Sequence, residues 1–369
     1  MIAWQGIHAG AWAQLQRARQ DDRLPHALLL TGPAGIGKLA FAELLAASLL
    51  CDTPKADGLA CGHCTACIWH ASGNHPDFRR IRPEAYEEAP VSDEPERTTA
   101  KSERKKSEQI RIDQIRGLEA FVQVGSHRGR RVILMEPAEA MNEATANALL
   151  KSLEEPPAGV HFLLVSHAAE RLLPTVRSRT RAISLRTPDQ PLALSQLTAV
   201  GIAPKQGALW LNRCAGALRT ALNLAQASAK DPAATEEALA EVAILEALLA
   251  EFPAGERLDP LALARTCEAL VKGDQSGLRL AQLIDWLQRW ALDLQLVRLG
   301  STPRCFPEHQ TVLEGLAARV NDAALSAYPV ALHEARRLSS HPLNLRLFLE
   351  SLFSRTIGLF ETPAADGRL

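Results

Sequence analysis

The chain is 369 residues long, more than one ordinary domain holds, and 47% of it is hydrophobic, enough for sizeable cores. Its 41 basic and 42 acidic residues nearly cancel, so overall charge gives no general attraction to nucleic acid or to anionic membranes. No apolar run approaches the ~18 residues of a membrane span and no charged-then-apolar leader follows Met1, so the expectation is a cytoplasmic protein with no membrane partner.

In chain order, residues 8–20 suit a short helix. The apolar run Ala27-Leu28-Leu29-Leu30 reads as a buried parallel strand that stops at a glycine-rich turn, and residues 37–50 are strong helix formers. A cysteine-rich stretch follows. Residues 84–108 mix acidic, basic and Ser/Thr side chains with two prolines, and read as a flexible surface insertion that buries too little apolar surface to order itself.

Regular structure resumes at Ile110. The run 131–135 reads as a second buried strand. Residues 142–155 read as a helix capped by Asn142 and stopped by Pro156-Pro157, and 161–166 and 182–185 as two further strands. Strands alternating with helices imply a parallel sheet covered on both faces. Pro188 and Pro191 mark a change of character, after which the pattern is helical. In the long helix expected over 278–299, Trp286 and Trp290 share one face and suit core packing.

Two constellations carry chemistry. Gly32-Pro33-Ala34-Gly35-Ile36-Gly37-Lys38 fits G-x-x-x-x-G-K between a strand and a helix. Gly32, Gly35 and Gly37 let backbone N–H groups turn toward phosphates, and Lys38 adds a point charge at the positive end of the helix. The next residue should be Ser or Thr, whose hydroxyl holds Mg²⁺, and it is Leu39. After the second strand the chain reads Met135-Glu136-Pro137-Ala138-Glu139. Glu136 could stand at the metal position, but Pro137 takes the place of a water-activating acid. The expectation is a P-loop that binds ATP or ADP weakly if at all, with its Mg²⁺ site lost and hydrolysis negligible. The second constellation is Cys51, Cys61, Cys64 and Cys67, spaced C-x9-C-x2-C-x2-C, which suits a closed, structural Zn²⁺ site.

These features together resemble the clamp-loader subunits of bacterial DNA polymerase III, within the AAA+ proteins. The resemblance rests on Leu24-Pro25-His26-Ala27 running into the P-loop, the four-cysteine module, Ile112-Asp113-Gln114-Ile115-Arg116, and the string from Asn147 to Pro157. It covers essentially the whole chain. Leu39 and Pro137 make it similar to the delta-prime type; the alternative is an active gamma/tau-type ATPase. The chain also ends soon after its helical region, without the long extension of tau.

The resemblance implies an AAA+ domain over 1–186 that carries the zinc module at 51–67, a helical lid over 187–230 and an all-α collar over 231–369. It implies a hetero-oligomeric ring with gamma/tau and delta subunits, which places a sliding clamp on primed DNA. It makes Arg179, in Thr175-Val176-Arg177-Ser178-Arg179-Thr180, an arginine finger for a neighbour's ATP. Thr180 stands where the family has cysteine. From the residues alone, Arg177, Arg179 and Arg181 read as a solvated basic face. Arg219 matches a lid arginine that contacts phosphate in active relatives and is otherwise a surface helix residue. Ser166 falls at a polar sensor position and otherwise caps its strand.

Overall fold

The computed structural model describes residues 2–86, 107, 109–123, 129–232, 234–272, 278–339, 341 and 344–360. All but a few residues of the expected insertion at 84–108 lie outside that set. The chain divides into two compact units, Met1–Gln196 with Ala217–Arg219, and Leu197–Gly216 with Thr220–Leu369.

The first unit opens with α1 (Trp4–Ile7) and α2 (Ala9–Gln20). It continues through β1 (Ala27–Thr31), α3 (Lys38–Leu50), α4 (Thr65–Ala71) and β2 (Phe78–Ile81). Then come α5 (Ile112–Gln123), β3 (Arg131–Met135) and α6 (Glu143–Glu154). It closes with β4 (Val160–Val165), α7 (Pro174–Ser178) and β5 (Arg181–Ser184). The strands form one sheet in the order β2-β3-β4-β1-β5, and every pairing is parallel.

Alternation along the central strands divides the core into two layers, one on each face. Leu29, Ile133, Met135, Phe162 and Leu164 join Leu149 and Leu153 of α6 and Leu118 of α5. Leu28, Leu30, Val132, Leu134, Leu163 and Val165 join Phe41, Leu45 and Leu49 of α3. A strand buried on both faces needs apolar residues at every position, which is why β1 and β3 read as continuous runs. Each such side chain taken fully out of water contributes about 1.5–3 kcal/mol of transfer free energy. The helix of residues 142–155 forms as expected: Asn142 accepts the amide of Thr145, and the helix stops before Pro156.

The sheet also contains a strand that the hydrophobic pattern does not announce. β2 reads Phe-Arg-Arg-Ile and pairs with β3, from Phe78 beside Val132 to Ile81 beside Met135. As an edge strand it carries charge at its two central positions. Arg80 pairs with Glu43 of α3, and Arg79 lies over the Phe121 ring, 5.0 Å from its centre.

The second unit is helical in its described residues. Its longest helix, Leu278–Arg298, buries Trp286 and Trp290. The Trp290 ring sits 5.0 Å from Phe252 and 5.5 Å from Phe306. Asp293 of the same helix is fully buried and accepts the backbone N–H groups of Arg304, Cys305 and Phe306, which fixes the loop after the helix. Among the described residues no helix is long and apolar enough to cross a membrane.

Candidate functional site

The phosphate loop keeps its backbone shape. Gly32, Gly35 and Gly37 have φ of 142°, 74° and 91°, where a side chain is strained. At Gly37 a Cβ would also collide with the ring of Trp4, so α1 lies directly against the loop. The Ile36 carbonyl can only accept, so His8 donates to it from Nε2, at 3.0 Å. Arg219 reaches the same loop through its backbone, its N–H donating to the Gly35 carbonyl at 2.7 Å, while its side chain stays exposed.

Lys38 opens α3 and is 2% exposed. Its ammonium donates to the carbonyls of Gly32 and Pro33 at 2.7 and 2.5 Å. Burial pulls its pKa down to about 8, against the opposing pull of the Glu139 and Glu136 carboxylates. Burial raises Glu136 above the usual carboxylate range, with Arg80 and Arg82 working the other way. Glu139, which sequence reasoning left without a role, accepts the His167 amide at 2.9 Å. His167 is held below its ordinary value by burial and by the Lys38 charge. A mixed cluster of one lysine, two acids and a histidine therefore sits at the C-terminal edge of the sheet. Only the short spacing Glu136-x-x-Glu139 hinted at it.

Leu39 and Pro137 supply no oxygen ligand for Mg²⁺, which leaves Glu136 and Glu139 as the acids beside Lys38. Leu39 is packed against the core on the α3 side, where a hydroxyl would have to face the phosphates. Pro137 offers no side-chain oxygen. One Glu139 oxygen is committed to a backbone amide. Ser166 is fully buried and its hydroxyl accepts the Ala168 amide at 3.2 Å, the geometry of a strand cap.

The cysteine module begins at the other end of α3, where Cys51 is the C-cap residue. Cys51, Cys61, Cys64 and Cys67 hold their sulfurs within 4.8 Å of one another. Cys51 and Cys64 are 3.9 Å apart, and Cys61 and Cys67 3.8 Å. A tetrahedron with Zn–S bonds of about 2.3 Å has edges of about 3.8 Å, so the donor set fits zinc. The amides of Cys61, Cys64 and Cys67 point at the sulfurs of Cys51, Cys61 and Cys64 at 3.2, 3.3 and 3.4 Å, as thiolate ligands require. The Thr53 hydroxyl, with the His63 amide, pulls Cys61 down to about 5, while burial pushes Cys67 up to about 12. Four sulfurs this close cannot all ionise without a cation among them.

The module is tied to α2. Trp12 donates to the Asp57 carbonyl at 2.9 Å, and Arg19 bonds Ser48, whose hydroxyl reaches the Gly58 carbonyl. His75 lies in a loop, as expected, but is buried there.

Arg179 lies between α7 and β5, just before the N-terminal end of its strand. The phosphate loop follows the C-terminal end of β1, and the two strands are parallel neighbours. A strand of this length spans about 17 Å, so Arg179 and Lys38 lie at opposite edges of the sheet. Arg179 cannot serve its own loop. Its Nη2 pairs with Glu154 at 2.5 Å, and Nη1 donates to the Thr175 carbonyl at 3.1 Å. Arg177 and Arg181 are exposed, and among the described residues neither guanidinium has an ion-pair partner.

A family profile described as "DNA polymerase III, delta subunit" matches residues 7–189. The chain is 48% identical over 169 residues to DNA polymerase III subunit delta' of Pseudomonas aeruginosa, covering 46% of this chain and 44% of that one. It is 33% identical over 188 residues to the Escherichia coli delta' subunit, covering 50% and 49%. It is also 29% identical over 360 residues to subunit tau of Salmonella typhimurium, covering 94% of this chain and 48% of tau. The chain thus spans about half the length of the curated relatives it matches. Among solved structures, a gamma-subunit-related protein of Thermotoga maritima aligns with TM-score 0.50 and 16% identity over 94% of this chain and 100% of that one, a likeness of fold.

Proposed function

The chain belongs to the DNA polymerase III delta-prime family, and from that premise we propose that it is a clamp-loader subunit that supports a neighbour's ATP hydrolysis without hydrolysing ATP itself. The observation that carries this reading is the phosphate loop. It retains its glycines and lysine, yet Leu39, partly buried against the core, offers no hydroxyl and Pro137 stands where an acid would polarise water. Loss of a metal ligand and loss of a catalytic carboxylate each cost on the order of 10²–10³ in rate. Lys38 already bonds two carbonyls of its own loop, so a nucleotide must displace those bonds to reach it, and affinity for ATP or ADP is weak.

In this reading Arg179 is the active group. Its place at the opposite edge of the sheet from its own loop suits a finger that reaches into the ATP site of an adjacent subunit. A planar guanidinium there stabilises charge developing on the γ-phosphate. Zinc on Cys51, Cys61, Cys64 and Cys67 is structural, because four protein ligands leave no open position. The partners are gamma/tau and delta subunits in a hetero-oligomeric ring, with the sliding clamp and primed DNA reached through the complex. Residues 187–230 act as the lid, residues 231–369 as the collar, and the subunit as a stator in the cytoplasm. The test is a reconstituted loader carrying Arg179→Ala in this subunit. A finger of this kind contributes about 10³-fold or more to turnover, so ATPase and clamp loading should fall by that order while assembly persists. Wild-type turnover would remove the finger from the account.

A further inference from the structure

Three strings that the sequence analysis singled out for separate reasons meet at one place on the N-terminal edge of the sheet. His26, from Leu24-Pro25-His26-Ala27, directs Nε2 at the Leu153 carbonyl at 2.9 Å; a carbonyl can only accept, so His26 is the donor. Leu153 and Glu154 end α6, within the Asn147–Pro157 string. Glu154 then pairs with Arg179 Nη2 at 2.5 Å, while Nη1 rests on the Thr175 carbonyl at 3.1 Å and the Ser178 hydroxyl at 3.4 Å.

We infer that Glu154 is a positioning residue for Arg179: its carboxylate fixes the direction in which the guanidinium projects, and His26 fixes the helix end that carries Glu154. The inference rests on the arginine-finger reading given above.

A stabilising role does not account for Glu154. The side chains of Glu154 and Arg179 are 47% and 35% exposed, and exposed ion pairs contribute little. A carboxylate in the last turn of a helix also opposes the helix dipole, so Glu154 carries a cost at that position that the arginine offsets. Orientation is what the pair supplies. A free arginine samples many rotamers, and a guanidinium serving a site in trans must already be aimed when the subunits meet. Two contacts on Nη1 and one on Nη2 hold the plane of the group. Among the described contacts Nε makes none, which leaves it and the second Nη2 hydrogen to meet a phosphate oxygen pair. Arg177 and Arg181, two residues to either side, have no such carboxylate among the described residues.

The test uses the reconstituted loader with four forms of this subunit: Glu154→Gln, Arg179→Ala, the double variant, and Glu155→Gln as a neighbouring control. Turnover and KM for ATP are measured at the adjacent site, with assembly followed by size-exclusion chromatography. Glu154→Gln should lower kcat about tenfold with KM unchanged, should have no effect once Arg179 is alanine, and should not be matched by Glu155→Gln. His26→Gln should lower kcat by a smaller factor, again only when Arg179 is present. Wild-type kcat in Glu154→Gln beside a strongly impaired Arg179→Ala would overturn the positioning role and leave the finger standing. Wild-type kcat in Arg179→Ala would remove the finger and this proposal with it. An equal drop from Glu154→Gln in both arginine backgrounds, or a raised kcat, would likewise overturn it.

Discussion

One helix, α3, separates two sites that differ in how complete their side-chain sets are. At its N-terminal end the three phosphate-loop glycines hold their left-handed angles, while Leu39 and Pro137 stand where the proposed reading looks for a metal-binding hydroxyl and a water-polarising acid. At its C-terminal end the cysteine module has kept its complete donor set, with sulfur spacings of 3.8 and 3.9 Å. The difference teaches that a loop can persist for what packs against it. Trp4, His8 and the Arg219 backbone all use the loop as a surface, so its shape is needed even where its reaction is not. A metal site has no such reserve, because each ligand is part of the fold.

The comparison can be broken most forcefully at the cysteines. Replacing Cys64 with Ser should release zinc and cost about 3 kcal/mol or more, since a closed four-ligand site couples metal affinity to folding. Metal analysis together with thermal unfolding would measure it, and retained zinc with an unchanged melting point would refute a structural site. Next in size, Gly37→Ala should cost about 2 kcal/mol, from a left-handed backbone and the clash with Trp4. Denaturant unfolding checks this, and a neutral result would mean that the loop shape is not structurally required.

Two smaller effects sharpen the chemical side. Leu39→Thr restores a hydroxyl and should make nucleotide affinity Mg²⁺-dependent by about tenfold, with hydrolysis still absent because Pro137 remains. Titration with a fluorescent nucleotide, with and without Mg²⁺, would show it. The fourth effect concerns protons. Lys38 titrates near 8, below an ordinary lysine, and its protonated form is the one that attracts phosphate. Weak nucleotide binding should therefore hold below pH 8 and fall about tenfold between pH 7 and 9, a slope that Lys38→Met should abolish. A flat profile in the unmodified chain would contradict a buried, phosphate-facing lysine.

Much of this was legible in the sequence, for identifiable reasons. β1, β3 and β4 announce themselves because central strands buried on both faces are almost wholly apolar; β5 is an edge strand that buries only Ile183, and β4 and β5 each begin and end one residue earlier than read. The edge strand β2 was hidden because its two central arginines look like surface; they are satisfied by Glu43 and Phe121, which are distant in sequence. The four cysteines and the phosphate-loop glycines were readable because local spacing determines local geometry. Glu139 was not singled out, since nothing in the string Met135–Glu139 shows which acid turns toward Lys38. The meeting of Glu154 with Arg179 depends on where α6 ends and where α7 hands over to β5, which no local pattern encodes.

The most direct measurement is a single-turnover assay of γ-labelled ATP with Mg²⁺, using the isolated chain in excess over nucleotide. The account predicts phosphate release no faster than the uncatalysed blank. Mg²⁺-dependent release that disappears in Lys38→Ala would contradict it and make this chain an ATPase in its own right.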